Sequence, residues 1–168
     1  MGRRPSRKLP ANDPRPSRVP LRARHRCCST HSGSHNRACA LTLPDRIDVD
    51  ATAGVAEGVF HVCEGADYLA DHFPGAPMLP GLLMLEVGVR AAAALWSRSA
   101  VPPAGGAVLQ FLDRLQVVRR VVPGETLVVQ TRAADEAGDA GTAWFTALGH
   151  VDGQTAMRAK FRLRAVRG

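Results

Sequence analysis

The sequence lacks the features that mark several common classes of protein. Its one long apolar stretch is interrupted by Glu86 and Arg90, so no membrane span is predicted. It has no phosphate-binding loop and no dinucleotide-binding fingerprint. The two serines after residue 41, Ser97 and Ser99, do not lie in a nucleophile elbow. Three of the four cysteines precede residue 41, so no disulfide framework is indicated and a reducing, cytoplasmic setting is expected.

The positive charge is confined to the beginning of the chain. The formal net charge is +7, but residues 1–40 hold ten Arg and Lys against one acid, Asp13, whereas residues 41–168 hold twelve against fourteen. Residues 1–40 are also rich in Pro and Ser and show no apolar periodicity. We therefore predict a disordered basic extension, 1–40, and one domain, 41–168. A transit peptide or a polyanion-binding arm remains an alternative for the extension, and the near-neutral domain gives no indication of a nucleic-acid partner.

Metal and cofactor sites are not expected. The extension contains four possible zinc ligands, Cys28, His31, His35 and Cys39, but no apolar residues surround them to close a tetrahedral site, and their spacing matches no strong template. Cys63 is the one cysteine of the domain, and we interpret it as a small buried hydrophobe.

Hydrophobic periodicity in the domain predicts an α+β fold. Residues 46–62 alternate as two strands joined by a turn that contains glycine. The stretch 81–99 is apolar almost all round, which indicates one long buried helix. Four further strands are predicted downstream, in 107–118, 125–134, 142–151 and 155–166. The expected architecture is a central helix wrapped by an antiparallel sheet of five to six strands.

The loop before this helix, "HFPGAPMLPG", restrains a histidine. Its prolines recur every third residue, and each fixes φ and biases the preceding residue toward an extended backbone. Gly75 and Gly81 remove side chains where a ligand could approach the backbone. Because Pro80 suits the first turn of a helix, the amide of Gly81 should lie among the unpaired N–H groups at its start, where it could polarise a carbonyl oxygen.

Glu86 lies five residues after Gly81, about 7.5 Å along the helix axis. A substrate carbonyl near Gly81 and a substituent two carbons away near Glu86 would fit this spacing, as in a 3-hydroxyacyl group. Neutral His72 is the natural base for a C2 proton, and an apolar helix disfavours an ionised carboxylate, so Glu86 could act as the acid. Taken singly, His72 could equally bond a carbonyl, and Glu86 could pair with Arg90 at i+4.

The stretch "HFPGAPMLPGLLMLE" resembles the motif of the FabZ-like (3R)-hydroxyacyl-acyl-carrier-protein dehydratases, which have the hot-dog fold. "FLDRLQVVRRVVPGETLVV" is similar to a strand–turn–strand segment of that family. The resemblance implies that His72 and Glu86 are catalytic and come from opposite subunits of a dimer. It implies a substrate-binding set of Phe73, Gly75, Pro80, Gly81 and Arg90. No cofactor is implied, and the expected product is a trans-2-enoyl thioester.

Two departures from the family pattern suggest a specialised branch, such as one serving a polyketide or polyene pathway. Arg90 stands where the family usually carries Gln, and "LPDRIDVDA" replaces the usual segment at the start of the domain. A homodimer and a heterodimer with a related subunit both remain open. Arg114, Arg119 and Arg120 are candidates for contact with an acidic carrier protein. The alternatives are a hot-dog thioesterase that uses Glu86 as base, and a non-catalytic subunit that shapes another subunit's pocket.

Overall fold

The computed structural model describes residues 43–70, 72–73, 75–136 and 138–166. The predicted extension, with its four possible zinc ligands, lies outside the described residues. The elements in chain order are β1 (Arg46–Asp50), β2 (Val55–His61), α1 (Asp67–Ala70), α2 (Gly81–Trp96), β3 (Ala107–Val117), β4 (Thr126–Ala133), β5 (Thr142–Val151) and β6 (Gln154–Ala165).

The six strands form one antiparallel sheet in the order β1-β2-β4-β5-β6-β3. β3 therefore lies at one edge, paired only with β6, and its register shifts twice along that pairing. The tightest connection joins β5 to β6, where Asp152 and Gly153 have φ of 49° and 76°, the left-handed backbone of a two-residue hairpin turn. The prediction of an α+β fold with a central helix and six strands is confirmed.

Helix α2 lies across the sheet, mainly against β2 and β4, and its approach depends on two glycines. A Cβ on Gly58 of β2 would lie 2.8 Å from Cγ1 of Val87 and 3.2 Å from its carbonyl oxygen. A Cβ on Gly88 of the helix would lie 3.1 Å from Cβ of Ala147 on β5. The absence of side chains at these positions lets the helix and sheet pack closely. No helix in the described part of the chain is long and apolar enough to span a membrane.

The burial of α2 is not uniform. Most of its surface lies in the core, but Leu82, Glu86 and Arg90, spaced four residues apart, form a stripe that faces away from the sheet. Leu82 is 68% exposed, and the side chain of Glu86 is 39% exposed. The expectation that Glu86 lies in buried surroundings is thus not met within the single chain, because the sheet covers only the other side of the helix.

Candidate active site

His72 follows the short helix α1 in a tight loop. Its backbone N–H donates to the carbonyl oxygen of Leu69 at 3.2 Å, which continues the last turn of α1. The imidazole is half-buried and packs against the ring of Phe73, with the ring centroids 4.6 Å apart. Within the described residues, no hydrogen bond engages either ring nitrogen of His72, so the ring is open to contact by a ligand.

Phe73 has an unusual backbone. Its φ is +62°, which costs a residue with a side chain about 1–3 kcal/mol and is found mainly where the surroundings impose it, often at functional sites. A hydrogen bond from Ala76 N–H to the Phe73 carbonyl oxygen at 2.9 Å closes the turn. Gly75 has φ +84° with no atom within 4 Å of a Cβ built there. The positive φ therefore explains why residue 75 is glycine, and the space that a side chain would occupy is open.

The start of α2 presents a free backbone donor. Pro80, with φ −57° and ψ 136°, is the N-cap, one position before the first turn in which it was predicted. Its carbonyl oxygen accepts from Leu83 and Met84 at 2.9 and 3.2 Å. The N–H of Gly81 has no acceptor among the described residues, which agrees with the prediction of an unpaired amide at the positive end of the helix.

Gly81 also touches the edge of the sheet. A Cβ at this position would lie 2.9 Å from Cγ2 of Val117 and 3.9 Å from Cδ2 of Leu115. The start of α2 thus lies so close to β3 that glycine is favoured at position 81, whether or not a ligand also approaches the backbone there.

Glu86 pairs with Arg90 one turn later. The Nε of Arg90 donates to Oε1 of Glu86 at 2.7 Å, and the two side chains are 39% and 55% exposed for Glu86 and Arg90. This is the i,i+4 pair considered as the structural alternative for Glu86. While the pair is closed, Arg90 occupies Oε1 of Glu86 and keeps that oxygen from a substrate hydroxyl group.

The single chain brings some of the predicted site residues together. His72 contacts Phe73, Glu86 contacts Arg90, and Gly81 lies one and a half turns before Glu86 on the same helix. No hydrogen bond connects His72 with Glu86 in the part of the chain that the structure describes.

One group of interactions was not recognised in the sequence. Arg119, predicted to meet a carrier protein, instead forms a two-pronged ion pair with Glu125. The backbone N–H of Leu79, just before α2, donates to the carbonyl oxygen of Val121 at 2.8 Å. The turn after β3 therefore supports the start of the helix. In the sequence, this ion pair is indicated only by the spacing of six residues between Arg119 and Glu125.

A groove lies away from these residues. It has a volume of about 650 Å³ on the outer face of the sheet and is lined by polar and charged side chains of β3, β4, β5 and β6, including Arg114, Arg132 and Arg158. None of the predicted catalytic residues borders it. A smaller hollow of about 400 Å³ lies near Leu95, Trp96 and Phe145, at the far end of α2 from Gly81. Among the described residues, no cluster of three or more His, Cys, Asp or Glu could hold a metal ion.

Comparisons with known proteins match this fold and motif. The profile of the ApeI-like family, described as ApeI dehydratase, matches residues 48–158. The chain is 33% identical over 109 residues to the 3-hydroxyacyl-(acyl-carrier-protein) dehydratase FabZ of Acidiphilium cryptum, which covers 63% of this chain and 64% of that protein. It is 33% identical over 105 residues to FabZ of Francisella tularensis subsp. novicida, covering 56% and 63%. It thus spans slightly less than two thirds of the length of these two relatives.

Solved structures agree on the fold. The dehydratase heterocomplex ApeI:P from Xenorhabdus doucetiae matches with a TM-score of 0.53 and 18% identity, over 74% of this chain and 99% of that one. The PaaI protein of E. coli matches with a TM-score of 0.52 and 16% identity, over 68% and 75%. The helix and sheet described above therefore form a hot-dog fold.

Proposed function

Because the chain belongs to the ApeI-like dehydratase family, we propose that it converts (3R)-hydroxyacyl thioesters carried on acyl carrier protein to trans-2-enoyl thioesters. The observation that carries this proposal is the unpaired amide of Gly81, with the restrained His72 loop before it and Glu86 after it. A donor, a base and a carboxyl group are the parts that this reaction needs.

The proposed steps follow the placement of these groups. The N–H of Gly81 polarises the thioester carbonyl at C1, which makes the C2 proton more acidic. His72, whose ring nitrogens are unoccupied within the described residues, removes that proton. Glu86 gives a proton to the C3 hydroxyl, the C3–O bond breaks, and water leaves as the C2–C3 double bond forms. His72 then returns a proton to Glu86 through the site or solvent, so no cofactor is consumed.

Glu86 can perform this role only when its pair with Arg90 opens. The pair is partly exposed, and such i,i+4 pairs are worth about 0.2–0.5 kcal/mol, so substrate binding has enough energy to separate it. Once released, the Arg90 guanidinium lies along the helix beyond Glu86, in the direction in which the acyl chain would extend. We therefore keep Arg90 in the proposed substrate-binding set, together with Phe73, Gly75, Pro80 and Gly81.

A dimer is part of the proposal. β3 is an edge strand of 11 residues that exposes Val108, Leu109 and Phe111 by 41–49%. Such an edge offers free backbone groups as well as apolar side chains to a second strand. Val117 at the end of β3 lies beside Gly81, so a subunit paired along β3 would adjoin the start of α2. This supports a site shared by two subunits, either a homodimer or a heterodimer.

Of the three arginines considered for contact with the carrier protein, we retain two. Arg114 and Arg120 are exposed and have no ion-pair partner among the described residues, whereas Arg119 is held by Glu125. We propose Arg114 and Arg120 as contacts for an acidic carrier. A specialised polyketide or polyene role is supported by the departures at Arg90 and at the start of the domain. We also propose a cytoplasmic location, because a single cysteine in residues 41–168 gives no basis for a disulfide framework in this domain.

A second candidate function rests on the Glu86–Arg90 pair. If this pair stays closed, Glu86 cannot donate a proton, and the chain would serve as a non-catalytic subunit that completes a partner's pocket. The structurally similar ApeI:P of Xenorhabdus doucetiae is a dehydratase heterocomplex. For this second candidate function, we propose an assembly of the same kind.

Mass spectrometry tests the main proposal. The purified protein is incubated with 3-hydroxyacyl carrier proteins of several chain lengths, beside His72→Ala and Glu86→Gln. The controls are His150→Ala, a strand histidine, and Glu57→Gln, a partly buried glutamate of β2. Loss of one water that only the first two variants abolish supports the dehydratase and both roles. Release of a free acid indicates a thioesterase. No reaction alone, but reaction after a related hot-dog subunit is added that persists with His72→Ala and Glu86→Gln, indicates the non-catalytic subunit.

A further inference from the structure

The turn between β3 and β4 connects the two ends of the loop that carries His72. Its "VPGE" sequence forms a β-turn in which the Glu125 N–H donates to the Val122 carbonyl oxygen at 3.1 Å and Gly124 has φ 88°. Pro at the second position and a left-handed Gly at the third are typical of a type II turn. The sequence therefore sets the local shape of this turn.

Two sets of backbone hydrogen bonds extend from this turn. Toward the end of β2, Gly124 N–H donates to the Val62 carbonyl oxygen at 2.8 Å, and Val62 N–H donates to the Glu125 carbonyl oxygen at 2.9 Å. Toward the start of α2, Leu79 N–H donates to the Val121 carbonyl oxygen at 2.8 Å. The segment from Val62 to Leu79, which includes His72, is thus held at both ends by the same turn.

One ion pair fixes this turn. Arg119 donates from one terminal nitrogen to Oε2 of Glu125 at 3.0 Å and from the other to Oε1 at 2.7 Å. The same carboxylate accepts from the Val122 N–H at 2.9 Å, and Arg119 also donates to the Arg120 carbonyl oxygen at 3.0 Å. The two side chains are only 29% and 22% exposed. A two-pronged guanidinium–carboxylate pair constrains direction as well as distance.

We propose that Arg119 and Glu125 are positioning residues for the candidate active site. By holding the turn, they set where the loop with His72 begins and where the helix with Gly81 starts. The inference rests on the proposed dehydratase function for its kinetic consequence. It changes the role expected for Arg119, from a carrier-protein contact to a support for the base and the carbonyl-binding amide. Displacing catalytic groups by about 1 Å can cost about a hundredfold in rate.

Kinetics with two substrates separate these roles. The variants are Arg119→Gln, Glu125→Gln and the double variant, each assayed with a 3-hydroxyacyl carrier protein and with the matching pantetheine thioester. Arg132→Gln is the control, because it removes the same charge from an exposed arginine of β4 that has no role in the proposed site. We expect both single variants to lower kcat about ten- to hundredfold for both substrates. The double variant should be no worse than either single one, because the two residues act as one unit.

Three results would overturn the proposal. An increase in KM for the carrier-bound substrate alone, in Arg119→Gln but not in Glu125→Gln, would make Arg119 a carrier contact. A lower melting temperature with unchanged kcat, measured where all variants are folded, would make the pair merely structural. Multiplying losses in the double variant would mean that the two residues act independently.

Hydrogen exchange tests the positioning role without measuring enzyme activity. Exchange at the Leu79 amide should be faster in Arg119→Gln and Glu125→Gln than in wild type and Arg132→Gln, because that amide is bonded to the turn. Unchanged exchange would overturn the positioning role even if the enzyme is active. A wild-type protein that dehydrates no substrate would overturn the proposed function, while the exchange result would still decide whether the pair holds the loop.

Discussion

Replacing Gly81 by alanine should impair the reaction much more than the fold. The added methyl would lie 2.9 Å from Cγ2 of Val117, whereas carbon atoms pack best at about 3.5–4.0 Å. One side must therefore move by roughly 0.6–1.1 Å. Val117 is 48% exposed at the end of β3, and an altered rotamer there costs about 0.5–1.5 kcal/mol. Alanine has a higher helix preference than glycine, by up to about 1 kcal/mol, so the free energy of unfolding should fall by no more than about 1.5 kcal/mol.

The expected effect on turnover is larger. If the helix start moves instead of Val117, the Gly81 amide shifts by up to about 1 Å, which can reduce kcat up to about a hundredfold. The assay is turnover of a 3-hydroxyacyl carrier protein, with urea unfolding measured in parallel. The double variant Gly81→Ala/Val117→Ala removes the close contact and should recover most of the lost rate, while Val117→Ala alone should be nearly silent. Wild-type kcat in Gly81→Ala would refute displacement of this amide by the added methyl, and failure of the double variant to recover would refute the contact as the cause.

Three further perturbations test the helix and the sheet edge. Arg90→Gln should raise kcat about twofold, since breaking an i,i+4 pair worth about 0.4 kcal/mol frees the carboxyl group, and should raise KM because Arg90 belongs to the proposed substrate-binding set; an unchanged kcat would contradict the restraint of Glu86 by the pair. Gly58→Ala should lower the free energy of unfolding in urea by about 1–3 kcal/mol, because its methyl would meet the Val87 carbonyl oxygen as well as its side chain, and an unchanged value would contradict the close packing. Val108→Lys on edge strand β3 should shift sedimentation toward the monomer, whereas Leu148→Lys, on an inner strand, should not; equal effects would contradict dimerisation through β3.

The elements of the fold could be predicted because their patterns are local. The residue types Asp152 and Gly153 by themselves predict a two-residue turn, and the alternation of apolar and polar residues on either side predicts β5 and β6. The start of α2 follows from Pro80, since proline fixes its own φ and cannot donate a helix hydrogen bond. In each case the residues that determine the element are neighbours in the sequence, so the sequence alone is enough to predict the element.

The parts that could not be predicted depend on contacts between distant positions. The fit of Gly81 against Val117 joins residues from two elements, and glycine alone does not say whether a ligand, a turn or a neighbouring strand requires it. Arg119 and Glu125 are only six residues apart, but their pairing depends on the turn that folds between them. The exposure of Glu86 was also missed, because an almost entirely apolar helix gives no sign of which side the sheet leaves open.

That open side is the physical difference between the two candidate functions. Leu82, which is 68% exposed, shares the stripe with Glu86 and Arg90, and an exposed apolar residue beside a candidate site favours a covering surface. Covering the stripe would remove water from the ion pair, which costs more than the pair regains unless further hydrogen bonds compensate. A covering subunit that presents an acceptor to Arg90 would separate the pair and release Glu86 for proton donation. A covering subunit without such an acceptor would leave Glu86 bound to Arg90, and the catalytic carboxyl group would then have to come from the partner.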